Sequence, residues 1–426
     1  MRHILILSIL QLFFIQTKAQ TYFPPDNGTW QTMEPADLGW CAPQIEELYA
    51  YLGTTHSKAF ILLKDGKIVL ERYFGTFTQD SVWLWNSAGK TLTALTVGIA
   101  QSEGHLSITD TTSDYLGTGW TNLTAEQESK ITIRHQLTMT SGLDDSENAD
   151  CTDPACLTYT AVPGTRWAYH NAPYTLLDAV IEDATGQTLN AYVTQKIKTP
   201  TGMTGLYLPL GYNRIFASNA RSMARFGLLL MAGGVWNGND LLGDPAYFQA
   251  MTNPSQNINP SYGYLTWLTG QSSYMIPQSQ IHIPGNSMPN SPIGTYAALG
   301  KDGQLINVDP EHQIVFIRMG NDDGNSLVST QYNDTIWQKI NALNCTAGLS
   351  NPILQQFSVY PNPAKDILLI TGEMPVESLV LTNSCGQEIN VPQTKQSLEL
   401  GTLPAGLYFL QITCGNHREV HRIIHD

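Results

Sequence analysis

Residues Trp85–Ala94 read WNSAGKTLTA and place a serine, Ser87, three positions before a lysine, Lys90. Residues three apart on a helix lie on one face, roughly 5–6 Å apart at their Cβ atoms, so the lysine can reach the serine oxygen. A serine hydroxyl is a weak nucleophile near neutral pH and needs a neighbouring base to take its proton. The spacing therefore indicates a nucleophile and its base, and the alternative is a chance pair on an ordinary helix.

The length, net charge and composition of the chain limit the kinds of molecule that it is expected to bind. The chain has 426 residues and a formal net charge of −14, with an ordinary apolar share of 42%. Nucleic acid is not an expected partner, because such proteins carry a basic patch and none stands out here. We also expect no transmembrane segment, because no run beyond the N-terminus is long and apolar enough.

The first twenty residues have the pattern of a signal peptide. Arg2 precedes an apolar run that continues to Ile15, and Thr17 and Ala19 supply the small residues of a cleavage site. We therefore assign 1–20 to a signal peptide and expect an exported protein.

Because exported proteins fold in an oxidising environment, we expect the six cysteines to form disulfides. Six cysteines allow fifteen pairings. Their positions favour three bridges, Cys41–Cys345, Cys151–Cys156 and Cys385–Cys414. The alternative for Cys151–Cys156, half of a metal site, lacks the paired histidines or second cysteine pair that would complete it.

Hydrophobic periodicity predicts strands at both ends of the large central region and helices between them. A helix is predicted at 39–53, then a hairpin of 59–63 and 67–70 about the turn Asp65–Gly66. Further helices are predicted near 132–139, 172–185, 189–197, 219–232 and 330–343, and strands at 294–299, 304–308 and 313–319. The pattern is α+β, a sheet whose end strands meet around a helical insertion.

The pattern changes after the central region. A linker at 348–354 separates a domain at 21–347 from a tail at 355–426 in which short strands alternate with turn residues. The tail is predicted to be a small all-β sandwich.

Two further segments bear on the Ser87 pair. Tyr169 and Asn171 form a Tyr-x-Asn before a predicted helix, and a tyrosine near a cation can act as a general base. Gly300–Gly303 reads GKDG at the entry to a strand, where glycine lets a backbone approach a substrate closely.

Residues 39–345 resemble the serine β-lactamase and penicillin-binding-protein superfamily in its class C-like branch. The resemblance rests on the order and spacing of five segments: Ser87–Lys90, Ile131–Leu143, Pro163–Asn171, Ala224–Gly227 and Gly303–Glu311. It implies an antiparallel sheet flanked by helices, with a helical subdomain.

The resemblance also assigns roles in a hydrolase. It implies that Ser87 is acylated and that Lys90 and Tyr169 share the general acid and base work. Asn171 would orient Lys90 or the substrate, and the oxyanion would be held by the Ser87 N–H and by the strand near Lys301. No cofactor and no metal are expected.

The segment Gly300–Gly303, called here the third element because it follows the Ser87–Lys90 and Tyr169–Asn171 segments, departs from the superfamily. Many members carry Lys-Thr-Gly or His-Thr-Gly there, whereas this chain has Gly300, Lys301, Asp302 and Gly303. This form is similar to the branch of 6-aminohexanoate-dimer hydrolases and esterases, so we expect a small-molecule amide or ester substrate. The alternatives are a penicillin-recognising peptidase, a β-lactamase, or a non-catalytic member that binds in the pocket.

The tail resembles the C-terminal sorting domain of the type IX secretion system. FSVYPNPAKDILLI, LPAGLYFLQI and the closing RIIHD carry this resemblance over about 355–426. It implies the secretion machinery as a partner, and a secreted or cell-surface location reached through the periplasm. The alternative is an adhesive sandwich with exposed aromatics, but Tyr360, Tyr408 and Phe409 are expected in the core.

Several other polar residues are expected to be structural. His135 lies in an apolar-periodic helix, and the side chain of His170 should point away from its neighbours Tyr169 and Asn171. The acidic loop at 144–153 does not have EF-hand spacing and is expected to be solvated rather than to bind calcium.

Overall fold

The structure is a computed structural model that describes residues 21–26, 28–146, 149–321, 327–345, 357–372, 375–384, 386–414 and 417–426. The chain divides into two compact units, residues 1–345 and 346–426. The expected signal peptide at 1–20 and the expected linker at 348–354 lie outside the described residues.

The first unit alternates short strands with helices. Its helices are α1 (Ala42–Thr54), α2 (Gly89–Ser102), α3 (Ser113–Leu116), α4 (Ala125–Glu128), α5 (Ile133–Leu137), α6 (Asn171–Thr175), α7 (Leu177–Thr185), α8 (Leu189–Val193), α9 (Thr199–Thr201), α10 (Ala220–Met231), α11 (Pro245–Met251) and α12 (Thr330–Asn341). Its strands are β1 (Ser57–Lys64), β2 (Lys67–Tyr73), β3 (Trp83–Leu84), β4 (Leu206–Leu210), β5 (Asn213–Ser218), β6 (Val235–Trp236), β7 (Asn239–Asp240), β8 (Trp267–Leu268), β9 (Ser273–Tyr274), β10 (Ile283–Pro284), β11 (Tyr296–Gly300), β12 (Gln304–Asp309) and β13 (Ile314–Gly320).

A six-stranded antiparallel sheet forms the centre of this unit, in the order β2-β1-β13-β12-β11-β8. Successive residues of a strand point to opposite faces of the sheet. In β13, one such residue contacts a helix on one face and the next contacts a helix on the other. Val315 lies against Gly227 of α10, where an added Cβ would be 2.5 Å from its Cγ1. The next residue, Phe316, packs edge-on against Trp337 of α12 with ring centroids 5.1 Å apart. The predicted α+β class, a sheet flanked by helices, is confirmed.

The two ends of the unit meet, as the pattern predicts. β1 pairs with β13, and the Asp65–Gly66 turn of the β1–β2 hairpin has φ of 51° and 82°, the positive values that suit a two-residue hairpin loop. The expected Cys41–Cys345 bridge is present and joins the start of α1 to the chain after α12. The expected Cys151–Cys156 bridge is present as well.

Helix α2 lies at the middle of the unit. It contacts α7, α11 and β11, and every residue from Gly89 to Ala100 is buried. The predicted helix at 172–185 is divided at Leu176 into α6 and α7, and the one at 189–197 ends as α-helix at Val193 and continues as a π-turn. Periodicity does not register these interruptions because the backbone stays close to helical through both.

The second unit is the predicted all-β sandwich. Its strands are β14 (Phe357–Tyr360), β15 (Ile367–Gly372), β16 (Ser378–Asn383), β17 (Glu388–Ile389), β18 (Gln393–Thr394), β19 (Ser397–Glu399), β20 (Gly406–Cys414) and β21 (His417–His425). They form two four-stranded sheets, β14-β15-β19-β18 and β17-β16-β20-β21. Leu368, Leu398 and Leu410 are among the fully buried side chains of its core.

Two predictions for this unit are wrong. Cys414 is a free cysteine whose side chain is buried in the sandwich core, so it does not form the expected Cys385–Cys414 bridge; Cys385 lies outside the described residues. Tyr360 was expected in the core but is 46% exposed, whereas Tyr408 is buried as expected.

Across the described ranges, no helix is long and apolar enough to cross a membrane.

Candidate active site

A strained turn presents Ser87 at the entrance to α2. Residues Asn86–Ala88 form a 3-10 turn directly before the helix, and Asn86 has a positive φ of 47°. Trp85 anchors this turn, because its indole N–H donates to the Ser218 hydroxyl at 2.8 Å and its backbone N–H to the Phe216 carbonyl at 2.8 Å. The serine therefore sits on a fixed backbone.

Lys90 lies one helical turn further on, with its ammonium nitrogen against the serine. Lys90 Nζ is 2.8 Å from Ser87 Oγ, and the lysine is only 2% exposed. Burial lowers the pKa of Lys90 to about 7, against a smaller opposing effect of the Asp150 carboxylate. A lysine with that pKa is partly neutral near pH 7 and can accept a proton.

Two tyrosine rings flank the Lys90 amine. Its Nζ lies 4.9 Å from the ring centroid of Tyr169 and 4.4 Å from that of Tyr174. Burial raises the pKa of Tyr169 well above its usual range, and the nearby Ser87 hydroxyl lowers that pKa by less. The Tyr169 hydroxyl oxygen is buried and makes no hydrogen bond of normal geometry to the residues described. Tyr169 is therefore protonated at neutral pH.

The end of β11 closes the other side of the Ser87 turn. A Cβ added at Gly300 would lie 2.7 Å from the Trp85 carbonyl oxygen, 2.8 Å from the Ala88 nitrogen and 3.0 Å from the Ser87 nitrogen. Glycine is required here because only a residue without a side chain lets the strand approach the turn this closely. The approach brings the strand backbone beside the Ser87 N–H.

The other three residues of the third element have two different positions: Lys301 faces the cavity, and Asp302 and Gly303 form a turn behind it. Lys301 lines the cavity in front of Ser87, and its carbonyl oxygen accepts a hydrogen bond of 3.0 Å from the Asn86 side chain. Asp302, at φ 61°, and Gly303 form the tight turn, and both of their carbonyl oxygens accept hydrogen bonds from Arg318. Of the four predicted residues, Gly300 and Lys301 reach the site, whereas Asp302 and Gly303 hold its backbone.

The structure corrects the prediction that Asn171 orients Lys90. The Asn171 side-chain amide donates to Asp150 Oδ1 at 2.9 Å, because the carboxylate is the stronger acceptor within reach. Asn171 still lines the cavity, so the alternative expectation of a substrate contact is compatible with its position.

A cavity of about 240 Å³ opens in front of the serine. It is lined by residues from the Ser87 turn, the acidic loop, β5 and the end of β11; these include Ser87, Tyr169, Asn171, Lys301, Asp145, Asp150, Tyr212, Asn213 and Gln278. The sequence did not single out Tyr212 or Gln278. The sequence indicated Asp150 only as one of several acidic residues in a loop, because nothing in the local pattern shows which of their carboxylates faces the cavity.

The two histidines considered in the sequence, His135 and His170, have surroundings that fit a structural role. His135 Nδ1 accepts a hydrogen bond of 3.1 Å from the Thr132 N–H at the start of α5. His170 is buried, is not among the residues that line the cavity, and burial lowers its pKa to about 4. Within the described ranges, no group of three or more His, Cys, Asp or Glu residues is arranged to hold a metal ion.

Comparison with known proteins agrees with this fold. Residues 46–337, more than half of the chain, match the Beta-lactamase family model. The chain therefore belongs to the Beta-lactamase family. Residues 358–426 match the Secretion system C-terminal sorting domain.

Individual relatives are distant. An uncharacterized protein of Alkalihalophilus pseudofirmus is 23% identical over 300 residues, covering 62% of this chain and 83% of the relative. A Bacillus anthracis protein that is provisionally named a 6-aminohexanoate-dimer hydrolase superposes with a TM-score of 0.57 at 19% identity, covering 76% of this chain and 90% of its own. A family VIII carboxylesterase superposes with a TM-score of 0.54 at 15% identity, covering 72% and 99%. At these identities the superpositions show a shared fold.

Proposed function

We propose that the protein is an exported serine hydrolase that cleaves an amide or ester through an acyl-serine at Ser87. The observation that carries the proposal is the 2.8 Å contact between Ser87 Oγ and the buried amine of Lys90. A buried lysine with a lowered pKa can activate such a nucleophile, because its neutral form accepts a proton near neutral pH.

Acylation needs three proton transfers. Ser87 Oγ attacks the substrate carbonyl carbon while neutral Lys90 takes the hydroxyl proton, which leaves a tetrahedral oxyanion. As the bond to the leaving group breaks, the Tyr169 hydroxyl donates its proton to the leaving oxygen or nitrogen, and the Lys90 ammonium restores that proton to Tyr169. Tyr169 suits the role of donor because its raised pKa keeps it protonated.

The oxyanion is stabilised by two backbone donors in this proposal, the Ser87 N–H and the strand backbone at Lys301. The close approach of Gly300 to the Ser87 nitrogen supports this assignment. Removing one such donor typically costs about 10²–10³ in rate. In deacylation neutral Lys90 takes a proton from the attacking water, and its ammonium gives that proton to Ser87 Oγ as the acyl bond breaks.

An amide or ester substrate is favoured over a β-lactam. The third element has Gly300–Gly303 where a Lys-Thr-Gly or His-Thr-Gly would grip a substrate carboxylate. The names of two structural neighbours, a 6-aminohexanoate-dimer hydrolase and a family VIII carboxylesterase, support the same substrate classes.

We propose further that the chain reaches the cell surface or medium through the type IX system. A signal peptide at 1–20 would direct entry to the periplasm, a catalytic domain would span 21–347 and a linker 348–354. The domain at 355–426 would engage the secretion machinery, as its match to the sorting-domain family suggests.

Turnover of a panel of esters, amides and penicillins tests the proposed chemistry, with Ser87→Ala as the paired variant. We expect hydrolysis of at least one ester or amide that is lost in Ser87→Ala. Turnover of penicillins alone would show that the substrate is a β-lactam rather than an ester or another amide. Binding without turnover of any compound by the folded protein would favour the non-catalytic alternative.

A further inference from the structure

The β4–β5 hairpin presents a row of leucines to solvent. Successive residues of a strand alternate between faces, so Leu206, Leu208 and Leu210 of β4 share one face, and they are 47%, 38% and 53% exposed. The opposite face is buried, because the rings of Tyr207 and Phe216 pack there edge-on with centroids 5.1 Å apart. Single apolar side chains are common on protein surfaces, whereas a contiguous row such as this leucine face indicates that an apolar group binds there.

The leucine face continues into the cavity in front of Ser87. In the antiparallel pairing of β4 with β5, Leu208 lies opposite Ile215 and Leu210 lies opposite Asn213. Residues directly opposite in such a pair place their side chains on the same face, with Cβ atoms about 4.5–5.5 Å apart. Ile215 and Asn213 both line the cavity, so the leucine face extends the cavity wall outward as an apolar surface.

Two hydrogen bonds hold the hairpin beside the cavity. Tyr212, in the turn between β4 and β5, lines the cavity and donates its hydroxyl to Asp150 Oδ1 at 2.7 Å. At the start of β5, Asn213 Oδ1 accepts a hydrogen bond of 3.1 Å from the Thr175 hydroxyl of α6. The position of the leucine face relative to the cavity is therefore set by contacts with two other parts of the chain.

The free edge of β4 is closed to pairing with another strand. β4 is an outer strand of the sheet β3-β5-β4. The Tyr207 backbone N–H donates to Asn190 Oδ1 at 2.8 Å, and the Tyr207 carbonyl oxygen accepts from Asn190 Nδ2 at 3.0 Å. Pro209, two residues further on, has no N–H to donate. The side-chain face is thus the available surface, and it suits a flexible apolar chain attached to the reacting group better than a strand of another protein.

We propose that the leucine face, together with Ile215, binds an aliphatic chain of the substrate while the ester or amide group lies at Ser87. This inference rests on the proposed hydrolysis at Ser87 and names its substrate class as esters or amides that carry a long aliphatic chain. The row from Leu206 to Leu210 spans about 13 Å, at about 3.3 Å per residue of strand, which accommodates a chain of several methylene groups.

Two series of esters, used below the concentrations at which they form micelles, test the inference. In one series the acyl group of a para-nitrophenyl ester lengthens from acetyl to octanoyl, and in the other the alcohol of an acetate ester lengthens from ethyl to octyl. Full burial of one CH₂ group is worth roughly fourfold, and a chain on an open face is buried on one side only. We therefore expect kcat/KM to rise roughly twofold per added CH₂ in at least one series.

Leu208→Gln puts a polar side chain at the middle of the leucine face and should reduce the gain from the shortest to the longest ester roughly fivefold. Ile293→Gln is the matched control, because it makes the same kind of change at a residue that is 79% exposed and does not line the cavity, and it should leave the gain unchanged. No gain in either series with the wild type, or a gain that Leu208→Gln leaves intact, would overturn the inference while leaving the hydrolase in place.

Light scattering on the wild type and Leu208→Gln separates a substrate chain from a second copy of the protein as the occupant of the leucine face. Loss of the chain-length gain with no change in oligomeric state would support the inference. A wild-type dimer that dissociates in Leu208→Gln while the gain stays the same would overturn it.

Failure of the proposed chemistry has a different signature, which is no turnover of any ester in either series. Calorimetric binding of N-octylacetamide and N-ethylacetamide to the full chain then decides the inference separately. Tighter binding of the octyl compound that weakens in Leu208→Gln would support the inference, and equal binding of the two compounds would overturn it.

Discussion

Raising the pH should switch on acylation of Ser87 as Lys90 loses its proton. With an ordinary pKa of 10.5, about one lysine in 3,000 would be neutral at pH 7. Because burial lowers the pKa of Lys90 to about 7, half of the molecules hold a neutral base at that pH. Burial therefore raises the fraction of neutral Lys90 at pH 7 by about 10³.

The assay is the second-order rate of reaction with a fluorophosphonate, measured from pH 5 to pH 10 and corrected with Ser87→Ala. The base must be neutral, so the rate should rise about tenfold per pH unit below about 7 and level off above it. Asp150→Asn should move the midpoint to lower pH, because the Asp150 carboxylate raises the pKa of Lys90. A rate that keeps rising up to pH 10 would refute the reasoning, since it would show a lysine with an ordinary pKa.

Three further changes test the surroundings. Lys90→Met should slow acylation strongly. It should also raise the melting temperature at pH 6 in calorimetry, because it removes a buried charge that costs up to about 5 kcal/mol of unfolding free energy. The gain should shrink as pH rises from about 7 to 10.5, where the unfolded lysine also loses its proton. Gly300→Ala should lower kcat about 10²-fold by displacing the serine turn, whereas Gly89→Ala, whose added Cβ would lie 3.7 Å from its nearest neighbour, should keep near-wild-type activity. Replacing both Cys41 and Cys345 by serine should cost about 2–5 kcal/mol in denaturant unfolding, and an unchanged midpoint would contradict a stabilising role for this bridge.

Short-range features of the fold were predictable from the sequence. The Asp65–Gly66 turn, the helix α10 and the three strands β11 to β13 follow from local turn chemistry and periodicity, and all are present. The Ser87–Lys90 contact follows in the same way, because an offset of three on a helix fixes the distance between the two side chains.

Features set by distant parts of the chain were not predictable. Asp150 reaches the cavity only because the Cys151–Cys156 loop folds towards α6 and β5, where Asn171 and Tyr212 bind it. The sequence places these residues far from one another, and their hydrogen bonds depend on tertiary geometry. For the same reason the sequence assigned Asn171 to Lys90 or the substrate and did not show that its amide donates to Asp150.

The most direct test of Ser87 as an activated nucleophile is the mass and position of a fluorophosphonate adduct on the full chain. We expect a single adduct on the peptide that contains Ser87, absent from Ser87→Ala and formed far more slowly in Lys90→Met. An adduct that persists in Ser87→Ala, or no adduct on the folded wild-type protein, would contradict the central claim.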